Sequence, residues 1–301
     1  MKNALYYLIG FLSLCSQTTI AQTGISGKIK TEYIPFSNYV RPQDSLKTDS
    51  TSDFKRMQVS LEIPLSIQTD AEGKSKTWSL ILDGSYARMS NRNYEESLFP
   101  TELLNAQIGF KHIRPLGKTW SLMAMGSVGV YTDLEQITSD DILVQGGVVF
   151  IKHFNPRLAL GVGPILSNAF GVPMILPYIY FNWETQGKLR FRVYFPEGLE
   201  VAYKMNPNFD LKAVVELSGM TAEINRNDKS MLLGYQQVIA GIRPQFELGK
   251  NWTLQLTGGS SLMRSFKTSE RKIKSIFKSS DVADPKFTST FYGAVALKWH
   301  F

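Results

Sequence analysis

The side chains that could act as general acids, bases or nucleophiles are few and scattered along this sequence. Histidine occurs three times, at His112, His153 and His300. Adjacent carboxylates occur at Asp140-Asp141 and Glu95-Glu96. Acid–base and nucleophilic catalysis need such groups around one substrate, and adjacency in sequence does not place two acids in that way. We therefore predict no catalytic residues and no enzymatic activity, with an outer-membrane lipid hydrolase as a remote alternative.

Metal and cofactor chemistry is equally poorly supported. The sequence contains no phosphate-binding loop, dinucleotide fingerprint, His-Glu-x-x-His or calcium loop. Its one cysteine, Cys15, lies in the apolar N-terminal segment and follows Leu14, whereas lipid attachment would need a small residue before it. No thiolate remains beyond that segment to act as nucleophile or ligand. We expect no cofactor and no metal.

The N-terminal segment has the three-part layout of a secretory signal. A lysine at position 2 is followed by the apolar run 4–14 and by a polar stretch that ends at Ala21. A short apolar run in this place is typical of export signals rather than of membrane-spanning helices. We predict a signal peptide over 1–21, with cleavage after Ala21, and one exported domain over 22–301.

The rest of the chain alternates between apolar and polar residues in segments of about ten residues, as β-strands do. In 55–68, Met57, Val59 and Leu61 share one face, while Arg56 and Glu62 lie on the other. The strands of a soluble β-sandwich also alternate between apolar and polar residues. The lengths of the connections must therefore distinguish a sandwich from a barrel. Short and long connections largely alternate along the chain. The short turns lie near 69–76, 115–118, 154–157, 184–188, 205–208 and 248–251, and the longer polar loops lie at 36–53, 89–101, 132–141, 223–233 and 266–286. This asymmetry is typical of the periplasmic and outer ends of outer-membrane barrels.

We therefore predict an all-β, antiparallel, up-and-down transmembrane β-barrel of about 14 strands, with about 12 as the alternative because the pair around 196–198 is short. Closure is required because lipid offers no hydrogen bonds to an open sheet edge. The expected location is the cell outer membrane of a Gram-negative bacterium.

Aromatic residues give independent support for a barrel in a membrane. At a membrane interface an indole ring can lie in apolar surroundings while its N–H remains hydrated. All five tryptophans fall at the predicted periplasmic edge: Trp78, Trp120, Trp183, Trp252 and Trp299. The chain ends in an alternating segment, 291–301, whose last residue is Phe301. That segment resembles the closing strand of Gram-negative outer-membrane proteins, and the resemblance implies that Phe301 is read by the barrel-assembly machinery. Over 24–301 the chain is similar to uncharacterised outer-membrane barrel families of Bacteroidota.

The polar faces of the strands predict a charged lumen. Its candidate lining residues are Lys28, Lys30, Glu32, Arg56, Glu62, Asp83, Lys111, Arg190, Arg192, Glu200, Lys204, Lys212, Glu216, Arg243 and Glu247. One interpretation is an internal web of ion pairs that fills a narrow interior. The other is a pore with a cationic constriction near Arg190 and Arg192 that favours anionic solutes.

Two segments depart from this pattern. Pro173 and Pro177 interrupt 172–183, both of whose faces are apolar, so it is either a kinked wall beside an apolar ligand path or a wall packed against an inward loop. The basic loop 267–278 either stays solvated or contacts lipopolysaccharide phosphates.

The charge of the whole chain excludes little. Its net charge is +7, but Lys and Arg are spread out rather than gathered in one arm, so we expect no nucleic-acid partner. The expected partners are outer-membrane lipids, lipopolysaccharide, the barrel-assembly machinery and small anionic or apolar solutes. The most favoured function is a passive channel or transporter for small solutes, and the alternative is a non-conducting structural or binding barrel.

Overall fold

A computed structural model describes residues 24–71, 73–93, 100–168, 170–226, 229–270 and 285–301. The strands are β1 (Ser26–Val40), β2 (Lys47–Thr69), β3 (Ser75–Arg88), β4 (Asn91–Arg92), β5 (Glu102–Pro115), β6 (Trp120–Thr132), β7 (Ile142–Asn155), β8 (Leu158–Ser167), β9 (Met174–Glu184), β10 (Leu189–Phe195), β11 (Gly198–Asn206), β12 (Phe209–Arg226), β13 (Lys229–Leu248), β14 (Trp252–Glu270), β15 (Lys286–Phe287) and β16 (Thr290–His300). Ser139–Asp141 forms a short 3₁₀-helix. Among the described residues, no helix is long and apolar enough to cross a membrane.

Fourteen of these strands form one closed antiparallel barrel, which confirms the predicted fold and strand count. Each strand pairs with its neighbour in the chain, and β1 closes the ring by pairing with both β2 and β16. The two-residue segment β4 pairs with β2, and the two-residue segment β15 pairs with β1 and β14. Closure gives each of the fourteen strands a neighbour on both sides, as a lipid environment demands.

The two faces of the wall follow the alternation of the sequence. On β2, Met57 points outward with 49% exposure while its neighbour Arg56 points inward with 3%. Ile108 and Phe110 of β5 likewise face outward and are exposed. A strand places successive side chains on opposite faces, so the apolar residues form the outer surface of the barrel and the polar ones its lumen.

The two ends of the barrel differ. At one end, here the short-turn end, every turn has five residues or fewer, and both described chain ends lie there. The opposite end carries the longer connections. Two predicted loops prove to be mostly strand. β1 continues to Val40 and β2 begins at Lys47, while β12 continues to Arg226 and β13 begins at Lys229. Inward side chains in these extensions are buried, and this burial stabilises the longer strands.

At the end opposite the short turns, β12 separates from its wall neighbour β11. The β12–β13 hairpin, which stays paired with β14 up to Met231↔Glu270, crosses the lumen there. β11 pairs with β12 only up to Gly198↔Glu216. Beyond that point β12 pairs with β13 and makes a parallel bridge to the opposite wall, Glu223↔Thr132 of β6. Asn105 of β5 fixes this position, since its amide donates to the Thr221 carbonyl at 2.5 Å and accepts from the Thr221 N–H at 3.2 Å.

The crossing hairpin packs on both of its faces. One face joins an apolar core in which Tyr235 stacks on Phe54 of β2 with ring centroids 4.3 Å apart. The other face touches the turn after β8, where the Thr221 hydroxyl donates to the Gly171 carbonyl at 2.7 Å. Gly171 and Gly234 meet there backbone to backbone, so a Cβ on Gly234 would lie 2.3 Å from the Gly171 carbonyl carbon. These contacts hold the hairpin inside the lumen at the end away from the short turns.

Candidate functional site

The inward charged residues near the middle of the barrel form a dense network around Glu32. Its carboxylate is ion-paired with Arg56 at 2.7 Å and Lys30 at 2.9 Å. It also accepts hydrogen bonds from Gln237 of the hairpin and from the Tyr292 hydroxyl, each at 2.9 Å. A fully buried carboxylate is tolerated because every lone pair has a donor. The network therefore ties β1, β2, β13 and β16 together across the lumen.

A second carboxylate extends this network. Glu216 of β12 accepts from Arg243 at 2.6 Å and lies 3.4 Å from the Lys30 ammonium group. Arg243 also donates to the Thr257 hydroxyl at 2.8 Å. Two carboxylates, Glu32 and Glu216, thus serve three cations, Lys30, Arg56 and Arg243.

The structure places carboxylates beside both arginines of the predicted cationic constriction. Arg190 is ion-paired with Asp210. Arg192 donates to the Asn182 amide oxygen at 3.2 Å and lies 3.9 Å from Glu200, which also pairs with Lys212 at 2.9 Å. Each guanidinium has a carboxylate partner, so these arginines do not form an uncompensated cationic ring.

The other predicted lining residues are distributed along the lumen. Lys111 is ion-paired with Glu62. At the short-turn end, Lys204 is exposed and Glu247 is half-buried, where it accepts from the Gln245 amide and the Thr253 hydroxyl. Asp83 and Lys28 lie beside open space rather than within the paired network.

Among the described residues, two cavities of the lumen share part of their lining. The larger, here the vestibule, has a volume of about 580 Å³ and opens among residues of the short-turn end such as Lys250 and His300. The smaller, here the inner cavity, has a volume of about 210 Å³ and extends to Ser167 at the far end of β8 and to Glu197 in the β10–β11 turn. Ile81 and Asp83 line both cavities.

Uncharged polar groups surround the inner cavity. Gln107 accepts from the hydroxyls of Ser127 and Tyr131, both at 2.9 Å, and the Gln145 amide also reaches the Tyr131 hydroxyl. An apolar patch that includes Val149 and Tyr178 covers the neighbouring wall. Pro164 and Pro177 stand opposite each other in the β8–β9 ladder of that wall, and the turn leading into β9 packs against the hairpin rather than opening a path.

Sequence reasoning does not identify several residues of these cavities. The apolar face of the last strand carries the stronger signal, although the outward Leu297 and Trp299 require Lys298 to point inward. Glu197 lies in a turn, to which strand alternation assigns no face. Gln107 is uncharged and carried no signal.

Aromatic and histidine side chains gather at the short-turn end. Trp252 packs beside Trp299, with ring centroids 5.9 Å apart, and Trp78 stacks on His112 at 4.0 Å. Trp120 and Trp183 lie at the same ends of β6 and β9 and are exposed. Phe301 follows β16, donates its N–H to the Ile25 carbonyl at 3.0 Å and meets Trp252 edge-on.

The acid pairs do not assemble a reactive centre in the part of the chain that the structure describes. Asp141 is fully buried and accepts from the Thr138 N–H at 2.6 Å, so it caps the 3₁₀-helix. Burial raises the pKa of Asp133 in the same loop. Glu95-Glu96 and most of the basic loop 267–278 lie outside the described residues. The described residues contain no group of three His, Cys, Asp or Glu suited to a metal ion.

Solved structures with the same general fold share little sequence with this chain. An outer membrane channel from Pseudomonas putida F1 has 11% identity and a TM-score of 0.45, covering 95% of this chain and 98% of that one. The NanC porin has 8% identity and a TM-score of 0.35, covering 91% and 100%. The outer membrane protease OmpT from Escherichia coli has 10% identity and a TM-score of 0.26, covering 95% and 99%. At such distances the likeness concerns the fold alone.

Comparison with curated proteins yields no match. The sequence profile described as "Domain of unknown function (DUF6268)" matches residues 15–300. Because that match spans nearly the whole chain, the protein belongs to the DUF6268 family.

Proposed function

We propose that this protein is an outer-membrane channel with a narrow, off-centre path for small solutes. The observation that carries the proposal is that the vestibule and the inner cavity share Ile81 and Asp83 in their linings. Together the two linings extend from the short-turn end to the β10–β11 turn. A solute could follow this route without displacing the crossing hairpin.

The inner cavity would set the selectivity of this path. Its volume of about 210 Å³ admits only small solutes in single file. Hydrogen-bonding groups at Gln107, Ser127 and Gln145 could replace part of a solute's hydration shell, and the carboxylates of Asp83 and Glu197 would disfavour anions at this point. Polar or cationic small solutes therefore fit the inner cavity better than large or strongly anionic ones.

The outer surface supports a membrane location. Apolar side chains such as Ile108 and Phe110 are exposed around the barrel, and such a face is stable in hydrocarbon but not in water. The tryptophans at the short-turn end would lie at one membrane interface. The proposal includes export by the signal over 1–21, contact with outer-membrane lipids and lipopolysaccharide, recognition of Phe301 by the barrel-assembly machinery and a Gram-negative origin in Bacteroidota.

A non-conducting binding barrel is the second candidate. The buried core around Phe54 and Tyr235, together with the Glu32 network, supports it because these groups leave no central pore. We propose no enzymatic role for either candidate, since the histidines lie on the short-turn end and the described acid pair caps a turn.

Conductance in planar bilayers tests the channel proposal. We expect small, defined current steps from the wild type and none from Ser127→Trp, because an indole would fill the inner cavity. Ser66→Trp is the matched control, since Ser66 is exposed at the short-turn end of β2, away from the inner cavity. A wild type that inserts without conducting, or a Ser127→Trp variant that conducts normally, would contradict the proposal.

A further inference from the structure

We propose that the vestibule binds a doubly charged oxyanion, such as a phosphate group, between Lys28 and Lys298. The two lysines stand directly opposite each other on the paired strands β1 and β16. Both side chains point inward, are half-buried and line the vestibule.

This lysine pair is electrostatically unusual within the barrel. Opposed residues on neighbouring strands have Cβ atoms about 5 Å apart, and like charges there destabilise the sheet. Seven other inward cations among the described residues have carboxylate partners: Lys30, Arg56, Lys111, Arg190, Arg192, Lys212 and Arg243. The buried Arg264 is satisfied differently, because it donates to the Ser37 hydroxyl and to the Ser52 and Asp53 carbonyls. Among the described residues, neither Lys28 nor Lys298 forms an ion pair. The sequence thus maintains two adjacent positive charges that the protein itself does not neutralise.

The carboxylates nearest to the pair are engaged or displaced. Glu62 is paired with Lys111, and Glu216 with Arg243 and Lys30. Glu247 is satisfied by the Thr253 hydroxyl and the Gln245 amide. Asp83 is two strands away from Lys28, with Ser60 of β2 between them, which is roughly 10 Å across the sheet. An anion from solution is therefore the partner that best matches the pair.

The surroundings specify the kind of anion. Two ammonium groups offer six N–H donors and no acceptor, which suits an oxyanion with several acceptor oxygens and a charge near two. The vestibule volume of about 580 Å³ also leaves room for the remainder of a phosphorylated solute. Lys250 and Asn251 at the entrance would meet that remainder.

This site does not depend on conduction through the inner cavity. The vestibule opens at the short-turn end, so an anion can enter and leave without passing Asp83 and Glu197. Binding and conductance can therefore succeed or fail separately.

The test is a calorimetric titration of the purified barrel, in detergent at low ionic strength, with inorganic phosphate. Acetate serves as the singly charged comparison. We expect saturable phosphate binding to the wild type and binding weaker by about ten-fold or more in Lys28→Gln/Lys298→Gln. This double variant should fold, because it removes a like-charge contact. Lys76→Gln is the matched control, since Lys76 is an exposed lysine at the same end of the barrel, on the outward face of β3.

Three results would overturn the proposal. They are an absence of saturable phosphate binding to the wild type, equal binding by the double variant, and an equal loss in Lys76→Gln. Acetate binding as tight as phosphate binding would overturn the assignment to a doubly charged group.

Discussion

Glu32→Ala is expected to lower the free energy of unfolding by about 3–5 kcal/mol, because it leaves buried cations without their counter-charge. The side chains of Glu32 and Arg56 are 0% and 1% exposed, so water cannot replace the lost carboxylate. Gln237 and the Tyr292 hydroxyl would also lose their acceptor. Chemical unfolding in detergent micelles, followed by tryptophan fluorescence, measures the change.

Glu102→Ala is the matched control for this substitution. Glu102 lies at the start of β5 and accepts from the Tyr86 hydroxyl on the exposed surface. Its loss should cost less than about 1 kcal/mol, as is usual for exposed polar contacts. Equal destabilisation by the two variants would show that the buried network does not hold the lumen together.

Shortening the β12–β13 hairpin should raise conductance several-fold. Leu217 and Val238 are a register pair at the point where β12 leaves the wall, so an Asn-Gly turn can replace 218–237. The variant loses the strand that crosses the lumen and the Tyr235 ring that covers Phe54. β11 and β12 still pair through Glu216, and β13 and β14 through Val238 and Met263, whereas β14 loses its β13 partner beyond Met263. Planar-bilayer recordings would report a wider pore.

Replacement of 134–137 by a glycine-rich segment provides the comparison. This loop follows β6 at the same end of the barrel but does not cross the lumen. Its variant should conduct like the wild type. A shortened hairpin with unchanged conductance would mean that the path does not pass beside β12 and β13.

The wall of the barrel was predictable because its signal is local. Alternation requires only that one face meets apolar surroundings and the other polar ones. It predicted the short pair β10 and β11 as well as the long strands, and it placed Arg56 and Met57 on opposite faces. Turn length then distinguished the two ends.

The crossing hairpin was not predictable from alternation, because a strand that leaves the wall keeps the same period. A trace of it exists in the sequence. Met220, Thr221 and Ala222 are all fully buried, as are Gln237 and Tyr235, so both faces are covered and clean alternation is lost. Such a pattern indicates burial on two sides, but it does not identify the opposite partner as β6.

The ion-pair partners of the charged residues in the lumen were also not predictable from the sequence. The inward face of each cation follows from its parity in the strand, whereas its partner depends on register between distant segments. Strand alternation therefore suggests an anion site at Arg190 and Arg192, whereas the structure places Asp210 and Glu200 beside them. Lys28 and Lys298 are separated by almost the whole chain and meet only when the barrel closes.

The most direct test of the account is a cross-link between the hairpin and the opposite wall. Thr132 and Glu223 are bridge partners, which places their Cα atoms within reach of a disulfide. Cys15 is the sole native cysteine, so Thr132→Cys/Glu223→Cys is best made with Cys15→Ser. The account predicts a disulfide in the folded barrel after mild oxidation, detected by the loss of both thiols to alkylation. Two freely alkylated thiols in the folded protein would contradict it.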